Sequence, residues 1–236
     1  MPDFKKSQYI YHITALDNIP GILMAGGIKC RSDLESDDFN DVASDSIIGK
    51  RAEYGLDKFV PFHWVYGSEF DYSIHKGYKD TEFAYIAIDR NIAKKENWKV
   101  IPQHPLAGGK APEILDYSIG FNKIDWNYMK PHYQYYEGLY SYKNQLTTMA
   151  ECLAPKTVAT SKFAKIFVSS EDALNALLGD FEDEFSEDTD EDDFSLYEYW
   201  AKDQSPSDDL CDLESVFENL PDDLFEICPS MFKYYN

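Results

Sequence analysis

Residues 179–194 read GDFEDEFSEDTDEDDF. A run this dense in like charge repels itself and stays solvated, so it has no place in a packed core. It divides the chain. From residue 179 to the end there are 20 Asp and Glu against Lys202 and Lys233, a net −18 of the chain's −21. The first 178 residues carry 23 acidic and 20 basic side chains, a net −3. The expected organisation is therefore a nearly neutral folded unit over 1–178 and an acidic tail over 179–236. The headline charge does not exclude a nucleic-acid ligand for the core, although no broad basic face is advertised. Beyond the acidic run, Leu210, Leu213, Val216, Phe217 and Leu220 form one apolar stripe, with Ser207 to cap it and Pro221 to close it. A short amphipathic helix is expected there.

Within 1–178 the periodicities are short and mixed. Residues 8–14 (QYIYHIT) alternate β-branched and aromatic side chains and read as a strand. Asp17 is placed to cap a helix whose Ile19, Ile22 and Leu23 share a face, and Gly26 and Gly27 stop it. Residues 31–45 are polar, acidic and without period, which reads as a loop. Strands are expected at 59–64, 83–88, 98–101 and 165–169, with Pro61 marking the first as an edge or a bulge. Short helices are expected around 146–153 and 171–178. Strands and helices in this irregular order imply an α+β fold rather than repeated βαβ units.

Several function classes drop out. Of the four cysteines, Cys30, Cys152, Cys211 and Cys228, none forms a C-x-x-C pair, and no Cys/His spacing suits zinc, so no metal is expected. The N-terminal residues lack an apolar signal core, and no run approaches the ~20 apolar residues of a membrane span. A cytoplasmic protein with reduced thiols, away from membranes, is expected. There is no G-x-S-x-G, no phosphate-binding loop, no G-x-G-x-x-G and no H-E-x-x-H. Aromatics are abundant (18 Tyr, 15 Phe). Most of them must fill the core, but the cluster Tyr133, Tyr135, Tyr136, Tyr140 and Tyr142 is dense enough to stack on flat ligands.

Three polar residues sit in apolar or aromatic surroundings: His12 in QYIYHIT, Arg51 in IIGKRAEYGL and Glu151 in LTTMAECLAP. Taken singly, each reads as structure: a satisfied strand histidine, a surface arginine, the exposed face of a short helix.

Together they carry more. YHIT at 11–14, DNIPGIL at 17–23, IGKRA at 48–52, VPF at 60–62, IDW at 124–126 and AECL at 150–153 follow one another in the order and spacing of the DarT-type DNA ADP-ribosyltransferases, which the chain resembles over most of residues 9–170. The resemblance implies an ADP-ribosyltransferase fold, a split β-sandwich with flanking helices gripping NAD⁺ in a central cleft. It implies ADP-ribose transfer to a base of single-stranded DNA, and a toxin held in check by a macrodomain antitoxin. By resemblance Glu151 is the catalytic glutamate and Arg51 its partner in catalysis. His12, Ile13, Thr14 and Arg51 would contact NAD⁺, while His104, Tyr136 and Tyr140 would contact the target strand. Tyr11 is a further stacking surface for nicotinamide or a base.

These residue types suit that chemistry. Loss of nicotinamide from NAD⁺ leaves a cation-like ribosyl centre, which a carboxylate stabilises. An imidazole fixes a ribose hydroxyl, and a guanidinium binds pyrophosphate or polarises the base. The chain departs from the family after VPF. Where the family strand continues Tyr-Phe and then a Pro/Ser-Pro-Met run, this chain has HWVYGSEFDYSIHKG. The acidic tail is also outside the family pattern, and its charge suits a DNA mimic. Two other readings stand beside this one: the same chemistry on RNA or protein, and a non-catalytic interaction protein that uses the tail.

Overall fold

A computed structural model describes residues 3–34, 39–40, 42–130, 141–177, 221 and 223–232. Strand β1 (Tyr9–Ala15) is followed by α1 (Asn18–Met24), β2 (Gly27–Ile28), α2 (Asp45–Glu53) and β3 (Phe59–His63). Next come α3 (Glu69–Gly77), β4 (Phe83–Asp89), α4 (Arg90–Lys95), β5 (Lys99–Ile101), β6 (Leu115–Asp116) and α5 (Tyr117–Lys123). Then follow α6 (Tyr142–Thr148), β7 (Glu151–Pro155), β8 (Val158–Ala159), β9 (Phe163–Val168), helical turns at 171–177 and β10 (Phe225–Ile227). The α+β class is as expected. Among the described residues, no helix is long and apolar enough to cross a membrane.

Eight strands form one sheet in the order β10-β9-β4-β1-β3-β7-β5-β6, while β2 and β8 pair separately. The FAYIAI stretch of β4 is apolar throughout because both its faces are covered. Ala84, Ile86 and Ile88 enter the larger core, and Phe83, Tyr85 and Ala87 enter a second core on the opposite face. In β1 the alternation divides in the same way, Ile10 to the first core and Ile13 to the second. Ile19 and Leu23 are the buried face of α1, as expected. Asp17 stands at its N-cap position but makes no capping hydrogen bond; Asn18 instead bonds Thr14 Oγ1 and the carbonyl of Asn40, each at 3.0 Å. Gly27 is required where β2 meets β8, since a Cβ there would collide with the carbonyl of Val158.

Through its middle the sheet is split. β1 and β4 pair over seven residues and β3 and β7 over five, but β1 and β3 share only the pair Tyr11–His63. Arg90 braces this arrangement from below. It is buried, donates to the carbonyls of Tyr9, Phe4 and Trp64, and stacks over Trp64 and Trp126.

Three expectations are revised. The loop expected over 31–45 holds a 3₁₀ turn at Arg31–Asp33, and Asp45 already begins α2. The helix expected at 146–153 ends at Thr148, and Glu151 is instead the first residue of a strand. The end of the expected tail returns to the fold. β10 pairs parallel with β9, Leu224, Met231 and Phe232 are buried, and Asp223 accepts from Lys165 at 2.8 Å. Leu224 and Phe225 pack on the larger core and Met231 and Phe232 on the second, despite the acidic composition around them, while Ile227 stays exposed. The stripe from Leu210 to Leu220 lies outside the described residues.

Candidate active site

The split in the sheet explains a proline in its interior. Residues of an antiparallel strand point their N–H and C=O to the same side. The carbonyl of Pro61 faces β1, where it accepts from Nδ1 of His12 at 2.9 Å. The missing N–H of Pro61 therefore falls on the split and not on the β7 ladder, so β3 tolerates it at a central position. His12 replaces the absent rung with its ring. A carbonyl only accepts, so Nδ1 carries the hydrogen, and Nε2 is left as an acceptor toward the cavity that His12 lines. Burial pushes the His12 pKa down to about 4, with His63 acting in the same direction and the bond to Pro61 opposing it, so the ring is neutral at pH 7.

Across the split, Glu151 begins β7 directly after the α6 turn, where the Ala150 N–H bonds the carbonyl of Thr147 at 3.0 Å. The Glu151 side chain is 5% exposed and meets Arg51 of α2 fork to fork: Nη1 to Oε1 at 2.7 Å and Nη2 to Oε2 at 3.1 Å. This bidentate geometry fixes the carboxylate plane and leaves each oxygen a free lone pair. Glu151 pairs in register with His63 of β3 and with Ile101 of β5.

His104 follows β5, its N–H held by the carbonyl of Leu146 at 2.7 Å. Its Nδ1 accepts from the Leu106 N–H at 2.9 Å, so in the neutral ring the hydrogen is on Nε2. Burial lowers its pKa, with His63 and Arg51 adding to the effect and Glu151 opposing it, so the neutral form prevails at pH 7. The two imidazoles are complementary: His12 presents an acceptor to the cavity and His104 a donor.

These groups share one cavity of about 830 Å³, within the ~300–1,000 Å³ range of small-molecule sites. His12, Ile13, Thr14, Arg51, His104 and Glu151 all line it, as do Lys29 and Arg31 on the wall beyond α1. The Arg31 guanidinium lies over the Phe39 ring at 5.1 Å, and its pKa is lowered by burial and by the charge of Arg51. Tyr11 is not a stacking surface here. It faces the second core, edge-on to Tyr66 and Tyr85, because neighbouring strand residues point to opposite faces. Tyr136 and Tyr140 lie outside the described residues.

A family model described as "DarT: ssDNA thymidine ADP-ribosyltransferase, DarT" matches residues 11–192. The chain belongs to the DarT family. No curated protein matches it. Its fold is similar to that of Thermus sp. 2.9 DarT in complex with NAD⁺, with TM-score 0.63 and 14% identity over 96% of this chain and 98% of the other. The same DarT in complex with ADP-ribosylated single-stranded DNA gives 0.61 and 19% over 75% and 90%. Thermosipho africanus DarTG in complex with ADP-ribose gives 0.57 and 21% over 75% of this chain and 48% of that one. DarT is an NAD⁺-dependent ADP-ribosyltransferase family, and the cavity described above lies where its two half-sheets part.

Two cavity neighbours escaped the sequence reading. His63 is 6% exposed, lines the cavity and stacks on Phe70 at 5.6 Å. Asp71 lies behind it in α3 and closes a capping box with Ser68. The S-x-x-D spacing at 68–71 was a readable helix-start signal. His63 had none beyond its departure from the family strand.

Proposed function

We propose that this protein transfers ADP-ribose from NAD⁺ to the base of thymidine in single-stranded DNA, with Glu151 as the catalytic carboxylate. The observation that carries the reading is the Arg51–Glu151 pair on the cavity wall, facing the YHIT segment across the split. Glu151 puts fixed negative charge where the ribosyl centre becomes cationic as nicotinamide leaves, and its free lone pairs accept from a ribose hydroxyl. Arg51 orients that carboxylate before the reaction, so no reorganisation is needed at the barrier. His12 accepts a second ribose hydroxyl at Nε2, and Thr14 and the Ile13 backbone complete that wall. Lys29 and Arg31 supply positive charge suited to the pyrophosphate. His104 donates from Nε2 to a carbonyl of the acceptor base. Tyr136 and Tyr140 are assigned to stacking on the strand, at ~1–3 kcal/mol per base.

A macrodomain that removes the modification is the fitting partner, in a toxin–antitoxin pair. The likeness to Thermosipho africanus DarTG supports this.

The test uses labelled NAD⁺ with single-stranded oligonucleotides that contain or lack thymidine. Label is expected only on thymidine-containing strands with the wild type, and on none with Glu151→Ala. Label on a thymidine-free strand, or undiminished label with the variant, overturns the reading.

A further inference from the structure

We propose that His63 accepts the proton that the attacking base must lose. The inference rests on the reading above. Thymine in a nucleoside has a single N–H, at N3. As the bond from N3 to the ribosyl C1′ forms, the bond from C1′ to the nicotinamide nitrogen breaks. Its electron pair stays with nicotinamide, which leaves neutral. The N3 proton then needs an acceptor on the reacting face.

Asp17 and Asp57 also line the cavity, and the other candidates gather around the Arg51–Glu151 pair. Arg51 has no lone pair to give. Both Glu151 oxygens accept from Arg51, and their remaining lone pairs are assigned to the ribose hydroxyl. His104 holds its lone pair on the Leu106 N–H, so its other nitrogen is a donor. His12 is locked to Pro61, and burial makes it a weak base.

His63 differs on each count. It is the ladder partner of Glu151, and directly opposed residues of an antiparallel pair project to the same face with Cβ atoms ~4.5–5.5 Å apart. Its Nδ1 is buried with no hydrogen-bonding partner among the described residues, and the residue lines the cavity. Such an orphaned buried nitrogen in a 94%-buried ring is uncommon without a function.

Asp71 is a second buried group near His63 with an orphaned atom. It is 1% exposed, and Oδ2 accepts from the Ser68 N–H and the Tyr85 hydroxyl, but Oδ1 is buried without a partner among the described residues. Burial raises the Asp71 pKa, and His63 lies close enough for its charge to oppose that rise. The remaining titratable and charged groups around His63 are Glu151 with its partner Arg51, and the neutral rings of His12 and His104. The proton passes to solvent once the product leaves.

The experiment compares wild type with His63→Gln and His63→Tyr. The acceptors are an oligonucleotide with one thymidine and the same strand with 5-bromouracil in its place, whose N3–H is more acidic. At pH 7, transfer to thymidine should fall by ~10²–10⁴ in kcat for both variants, with the KM for NAD⁺ unchanged. The deficit should shrink on 5-bromouracil and as the pH is raised. Equal deficits on the two bases, or a folded variant with wild-type kcat, overturn the proposal. A wild type that labels neither strand overturns the functional reading instead.

Discussion

Arg51 and Glu151, one hundred residues apart in sequence, meet with both prongs of the guanidinium on both carboxylate oxygens, at 2.7 and 3.1 Å. The pair ties α2 to the first residue of β7 and sets the orientation of the carboxylate before any ligand arrives.

Removing one partner leaves the other stranded in a poorly solvated wall. Arg51→Ala should therefore cost about 3 kcal/mol of stability at pH 7, measured by urea denaturation. Glu151→Gln keeps the shape and a hydrogen-bond acceptor and should cost less. Catalysis should order the other way in the labelled-NAD⁺ assay, Glu151→Gln losing at least as much rate as Arg51→Ala. A stable Arg51→Ala protein would show that the pair is incidental.

His12 and His75 are both pushed down to about 4 by burial, below the ~6.5 of an unfolded histidine. Between those values the unfolded chain binds protons that the folded chain refuses. Stability is therefore full above pH 6.5 and falls as the pH drops toward 4, by up to about 3 kcal/mol for His12. In His12→Gln the dependence of ΔG on pH over this window should be shallower. An unchanged slope would mean that His12 is freely solvated.

The tautomer of His12 predicts a split between fold and function. Asparagine can keep a donor near the Nδ1 position for Pro61 but removes Nε2 altogether. His12→Asn should hold its melting temperature close to wild type while raising the KM for NAD⁺ ~10-fold, the cost of about one hydrogen bond. A variant that melts early with normal KM would reverse the assignment.

Truncation after residue 178 removes β10 along with Leu224, Met231 and Phe232. Burying a Met, Leu or Phe side chain stabilises by ~1.5–3 kcal/mol, so the truncated chain should lose about 5 kcal/mol or fail to fold. Deleting only 181–216 keeps β10 and the buried Leu224, Met231 and Phe232, so the melting temperature should stay near wild type. That internal deletion is the clean probe of the acidic segment. Higher transfer activity without it is expected if the segment competes with DNA.

Sequence alone carried much of this site but not its wiring. The YHIT strand was legible because one face is apolar core and the other polar cavity, which leaves an alternation. Glu151 was identified by resemblance, yet its local structure was misread. The run LTTMAECLAP is apolar on both sides of a helix-to-strand junction, and no period separates the two. Pro61 reads as marking an edge or a bulge; β3 is instead central, and the opening that accommodates the proline lies within the sheet. β10 was hidden by composition: three apolar residues amid carboxylates look like tail until β9 offers them an edge. His63 could not be found from spacing, since its significance lies in the strand pairing that sets it opposite Glu151.

That single rung between Tyr11 and His63 has a mechanical meaning. His12 and Thr14 belong to one half of the sheet, and His63, Glu151 and His104 to the other. A dinucleotide that touches both would act as a clasp across a seam that strand pairing barely closes. Amides along β1 and β3 should then exchange far more slowly once NAD⁺ is bound, and the substrate would be part of what holds its own enzyme shut.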